Sequence, residues 1–99
     1  MNTFTILAEP SRRVILDTLL NGAMSVNTLV DAVGMSQPVV SKHLRILREA
    51  GLVSVNPRGQ QRLYSIRAEP LIELEQWLAP YRQFWHSKLD ALESHLNEL

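Results

Sequence analysis

Ninety-nine residues, 45% of them hydrophobic, suit one folded domain with a small core, near the size at which a second subunit helps. The chain has no cysteine, which removes disulfides, thiolate metal sites and cysteine nucleophiles together. No apolar run approaches the ~18 residues of a membrane span. The opening MNTFTILAEPS also lacks the basic-then-apolar order of an export signal, so we expect a cytoplasmic protein with no membrane partner.

The net charge of zero hides a division. Residues 1–67 carry eight Lys/Arg against four acids, whereas residues 68–99 carry two against six. A basic front and an acidic tail suggest that the front faces a polyanion.

Phe4, Ile6 and Leu7 form a short apolar patch ahead of Glu9-Pro10. Pro10 suits the first turn of a helix, and Glu9 stands where an acid favours the positive end of the helix dipole. The helix through SRRVILDTLLNG pairs Ile15 with Leu19 and Leu16 with Leu20, and Asn21-Gly22 stops it. Ser25 reads as the cap of the next helix, whose Val26, Leu29, Val30 and Val33 share one side before Gly34 ends it.

A three- or four-residue turn containing Gly34 then leads into a second amphipathic helix, about 36–50, capped by Ser36 with Pro38 in its first turn. Val40, Leu44 and Leu47 recur at i, i+4 and i+7, and Gln37, Ser41, Lys42 and Arg45 point away from that seam. Two such helices form a helix-turn-helix, with the second as reader, and its free face has the chemistry of a major-groove contact. Gly51 closes the reader.

From Leu52 to Ile66 the apolar period drops to two. We read a β-hairpin, or wing, over about 52–67, with PRGQQR as its turn and Arg58 and Arg62 at the shoulders. After Glu69-Pro70 a helical pattern runs over about 70–98. Leu71, Leu74, Leu78, Tyr81 and Trp85, then Leu89, Leu92, Leu96 and Leu99, form a seam for another helix, with a phase slip near Trp85. Pro80 predicts a kink or short break. The expectation is therefore a mainly α chain with a small β-hairpin: one winged helix-turn-helix domain, 1–99, with a long C-terminal dimerisation helix.

Three strings, LAEPSRRVILDTL, SVNTLVDAVGMSQPVVSKHLRILREAGLV and RGQQRLYSI, resemble the ArsR/SmtB family of winged-helix bacterial repressors. The most specific is SQPVVSKHLRILREAGLV, and AEPSRRVIL is an independent second match. The resemblance implies a homodimer whose first and last helices pack against the partner, both readers facing one side of double-stranded DNA. It also implies repression by occupying an operator. The chain departs from the family's metal sensors, because their cysteine motif is replaced by VNTLVDA and the Asp-x-His half of the C-terminal site is missing. No metal and no cofactor are expected. His95 and Glu98, at i and i+3, with His86 nearby, are the remaining candidates for a noncanonical metal-responsive site.

For DNA we expect base-edge hydrogen bonds from Gln37 and Ser41 and groove contacts from Lys42 and Arg45. Ser36 lies at the helix start, where Pro38 and Val39 meet a thymine methyl unless Val39 packs inward. His43 either donates to a phosphate, the reading favoured here, or is held within the fold. Arg58, Gln60 and Arg62 of the wing are placed on phosphate or the minor groove. Arg12 and Arg13 are read as structural, bonded to neighbouring carboxylates.

For the dimer we expect Phe4, Leu7, Leu74, Trp77, Leu78, Tyr81, Trp85, Leu89, Leu92 and Leu96, because a chain this small cannot cover so long a stripe. A two-fold pair places the readers roughly 34 Å apart, one DNA turn, and demands a near-palindromic site. A winged-helix protein-interaction module without DNA binding is the alternative of a different class. An enzyme is not expected, because Ser41 and His43 face different ways and no phosphate loop or metal triad is present. The regulating signal is open between a small-molecule effector near the dimer helices, another protein, and expression level.

Overall fold

The computed structural model describes residues 2–99. Five helices and one hairpin follow one another as α1 (Thr3–Leu7), α2 (Pro10–Leu19), α3 (Val26–Val33), α4 (Gln37–Glu49), β1 (Val53–Arg58), β2 (Gln61–Ile66) and α5 (Glu69–Asn97). The caps explain most of these boundaries. The side chains of Asn2, Glu9, Ser25 and Ser36 accept backbone N–H groups at the starts of α1 to α4, satisfying donors that a helix start leaves open. Pro10 occupies the first turn of α2, where its missing N–H costs nothing.

The core gathers Ile6 from α1, Ile15, Leu16 and Leu19 from α2, and Leu29 from α3. Val40, Leu44 and Leu47 of α4 join it, with Leu52 and Val53 at the wing base. Each side chain fully buried in this way contributes roughly 1.5–3 kcal/mol. The α3–α4 turn is Gly34-Met35-Ser36, and Gly34 takes the left-handed conformation at φ 71°.

A Schellman motif fixes how the wing leaves the reader. Gly51 N–H donates to the Arg48 carbonyl at 3.0 Å and Leu52 N–H to the Leu47 carbonyl at 2.9 Å. Gly51 itself stands at φ 79°, a region that side chains with a Cβ rarely adopt. The buried Leu52 then carries the chain straight into β1.

The two strands pair antiparallel from Val53↔Ile66 to Arg58↔Gln61. The turn is tighter than the six residues expected, because Pro57, Arg58, Gln61 and Arg62 all belong to the ladder and only Gly59-Gln60 is left between them. Gly59 at φ 63°, with no non-glycine at positive φ, is the pattern of a type II′ turn, whose twist matches the strands. Met24 adds a contact that the sequence does not announce. It exchanges two backbone hydrogen bonds with Tyr64, of 3.0 and 2.8 Å, tying the wing to the segment before α3.

Helix α5 removes the break that was one of the two outcomes expected at Pro80. It runs from Glu69 to Asn97 without a break at Pro80. Proline removes the bond that would have reached the Gln76 carbonyl, but both residues are exposed, so water can take the freed acceptor.

No residue of α5 is buried. Leu71, Leu74 and Leu78 are half-covered by the body, while every residue after Leu78 is exposed. The radius of gyration is 18.3 Å, against about 13 Å for a compact chain of this length, and the longest dimension is 63 Å. The excess is the distal half of α5 leaving the body.

Candidate nucleic-acid interface

Helix α4 presents two chemically opposed sides because Val40, Leu44 and Leu47 return to one face every three or four residues. With those three buried, Gln37, Pro38, Val39, Lys42 and Arg45 are exposed and Ser41 is partly so. Val39, 42% exposed, does not pack inward, which removes one of the two alternatives raised for it. The Ser36 hydroxyl accepts the Val39 N–H at 3.4 Å, and its residue lies exposed at the rim of the same face. Gln37 Nε2 donates to the Ser41 hydroxyl at 3.2 Å, so the two expected base-reading side chains hold each other in place. The Gln37 amide oxygen and its second N–H stay free for a base edge.

On the wing Arg58, Gln60 and Arg62 are exposed around the turn. Among the described residues, the ion pairs are Arg67 with Glu69 at 3.6 Å and Arg82 with Glu75 at 3.4 Å. Lys42, Arg45, Arg58 and Arg62 therefore keep their charge unneutralised by neighbouring carboxylates. A groove lined by Ser25, Val26, Asn27, Gln60, Gln61 and Arg62 lies between the start of α3 and the wing.

His43 sits between its two readings. At about 100° per residue it lies some 60° from Val40, at the edge of the buried seam rather than in the middle of the free face. Its Nδ1 is shut off from solvent with no hydrogen-bond partner. Burial, then the charge of Arg12, lowers its pKa, and Glu9 opposes them. One edge of the ring is thus held within the fold, while Nε2 on the other edge is not closed off and remains available to a phosphate.

Arg12 and Arg13 are structural, but their partners are not carboxylates. Arg12 Nη1 donates to the Ile6 carbonyl at 3.3 Å, and Arg13 Nη1 donates to the Leu7 carbonyl. These are carbonyls of the last turn of α1, where cations are favoured. Glu9, whose carboxylate accepts the Ser11 N–H at 3.2 Å, has its pKa lowered chiefly by that bond.

The apolar residues expected at a subunit contact fall into three groups. Leu7, Leu74 and Leu78 are partly covered by their own subunit. Phe4 meets Trp77 edge-on with ring centroids 5.8 Å apart, and Trp77 meets Tyr81 at 4.9 Å. Trp85, Leu89, Leu92 and Leu96 are 54–60% exposed along one side of α5. His86, His95 and Glu98 are exposed on the same helix, and the described residues include no group of three or more His, Cys, Asp or Glu placed to share a metal ion. Among those residues no helix is long and apolar enough to cross a membrane.

A helix-turn-helix followed at once by a hairpin, with a polar and cationic reader face beside a cationic wing, defines a winged helix-turn-helix DNA-binding fold. Comparison with known proteins agrees. Residues 9–55 match the model of the bacterial regulatory proteins of the arsR family. The transcriptional repressor SdpR of Bacillus subtilis is 34% identical over 77 residues, covering 78% of this chain and 86% of that protein.

A crystal structure described as a possible transcriptional regulator for arsenical resistance superposes with a TM-score of 0.71 at 34% identity, covering 95% of both chains. The homodimeric winged helix-turn-helix DNA-binding domain Mb0332 of Mycobacterium bovis, solved in solution, superposes with a TM-score of 0.64 at 29% identity, over 80% of this chain and 73% of that one. The chain belongs to the ArsR family of transcriptional regulators, which are not enzymes.

Proposed function

We propose that this regulator is a repressor that binds double-stranded DNA as a homodimer on a near-palindromic operator. The observation that carries this reading is the free face of α4: Gln37, Ser41, Lys42 and Arg45 stand out from a helix whose other face is wholly buried, with no carboxylate neutralising the cations. In the proposed complex Gln37 and Ser41 read base edges, with Pro38 and Val39 against a thymine methyl. Lys42 and Arg45 bond phosphates or guanine, and Ser36 lies close to the backbone. Arg58, Gln60 and Arg62 reach the flanking backbone or minor groove.

The dimer is supported by the apolar stripe of α5, half of which has nothing to cover it in its own subunit. The homodimeric state of the Mycobacterium bovis neighbour favours the same arrangement. A DNA partner puts the protein at work in the cytoplasm of a bacterial cell.

The test is a titration of duplex DNA at several salt concentrations. Four to eight phosphate contacts per dimer predict an affinity that falls steeply with salt, with a logarithmic slope of about −4 to −7. Binding that ignores salt, or no binding at low salt, would leave the protein-interaction module as the better reading.

A further inference from the structure

Two buried side-chain nitrogens, one on each of the packed helices α2 and α4, have no partners. They are Nδ1 of His43 and Nε of Arg12. Arg12 is not free to swing away, since its Nη1–H is engaged on the Ile6 carbonyl at the end of α1. The other ring nitrogen of His43, Nε2, is not closed off in this way.

A neutral imidazole carries one N–H and one bare lone pair, and the seam decides which nitrogen holds which. A buried N–H without an acceptor costs more than a buried lone pair. Here the neighbouring guanidinium offers donors and no acceptor. A lone pair on Nδ1 faces positive charge favourably, so the proton belongs on Nε2. The imidazolium is disfavoured more strongly still, because it needs an N–H on both nitrogens. Burial disfavours it, Arg12 of α2 and Lys42 of α4 repel it, and Glu9, the cap of α2, is the one charge that favours it.

We propose that the α2–α4 seam, through Arg12, holds His43 as a neutral imidazole with its proton on Nε2, so that the reader helix offers the DNA backbone a neutral N–H donor there instead of a third cation. This rests on the DNA-binding reading and sharpens it. Lys42 and Arg45 attract phosphates and release counterions, whereas His43 adds a directed hydrogen bond whose strength does not depend on salt. Arg12 is a positioning residue that acts through His43.

Long-range proton–nitrogen NMR on the full chain at pH 7 reads the tautomer directly. We expect His43 protonated on Nε2 alone, free and on duplex DNA, and mixed tautomers with a raised pKa in Arg12→Gln. In DNA titrations His43→Gln, whose amide N–H stands in for Nε2–H, should bind within about twofold of the wild type. His43→Asn should lose about tenfold, with the salt slope unchanged.

A proton on Nδ1, an imidazolium at neutral pH, or a salt slope that falls by about one in His43→Asn overturns the proposal. So does equal binding by His43→Asn and the wild type. Failure of the wild type to bind any duplex would instead remove the DNA reading, while the tautomer in the free protein still decides what the seam does.

Discussion

Helix α4 and the distal half of α5 are both amphipathic, and they meet opposite fates. In α4 the apolar side is spent inside the subunit, leaving its polar side for another molecule. In α5 the apolar side itself is left over: the stripe that rests on the body at Leu71, Leu74 and Leu78 continues through Trp85, Leu89, Leu92 and Leu96 with nothing beneath it. One helix is a finished surface and the other an unfinished core. The difference separates a polar surface turned outward from an apolar face that its own subunit leaves uncovered.

Substitutions should keep the two regions apart. The largest effect belongs to the buried side of α4. Leu44→Ala removes a side chain that is 1% exposed and should cost about 2–5 kcal/mol of stability, read by chemical denaturation. Leu89→Asp, on the bare stripe, should leave the helical spectrum of the subunit intact and weaken self-association about a hundredfold or more in sedimentation, the loss expected of a charge set in an apolar contact. Unfolding of the Leu89→Asp chain, with no change in association, would mean that the stripe packs within its own subunit.

Smaller effects divide the reader face. Gln37→Ala should cost about 1–3 kcal/mol at one operator position only, whereas Arg45→Ala should weaken binding to every sequence and flatten the salt slope by about one per contact, both read by titration of operator variants. Gly51→Ala should cost about 1 kcal/mol of stability through the left-handed backbone alone, because the added methyl meets only Pro70 at 3.7 Å.

The gentlest perturbation is pH. His43 has a folded pKa below its ordinary 6.5, so the unfolded chain binds the proton more readily. Stability should therefore decline as pH falls from 6.5 to that folded value, and His43→Gln should abolish that part of the decline in denaturation curves.

Much of this was legible in the sequence because it is local. Ser25, Ser36, Gly34 and Gly51 punctuate helices by their own chemistry, and Val40, Leu44 and Leu47 declare a face by spacing. What was missed depends on contacts across the chain. Charge suggests charge for Arg12 and Arg13, but α1 ends just where the Ile6 and Leu7 carbonyls meet their guanidinium groups. The Met24–Tyr64 pairing joins segments forty residues apart and leaves no local mark. Pro80 announces a kink or a short break, and the break does not occur because an exposed helix can solvate the acceptor that proline abandons. The place of His43 was legible as well: it follows Val40 by three and precedes Leu47 by four, so the periodicity that found the seam also puts His43 on its edge.

Selection of bound sequences from a pool of random duplex DNA tests most directly whether two copies of α4 read DNA together. The account predicts an inverted repeat whose half-sites are centred about ten base pairs, one turn, apart, with enrichment lost for Leu89→Asp. A single unpaired half-site recovered equally well by that variant would contradict it, and so would a pool that returns no enriched sequence.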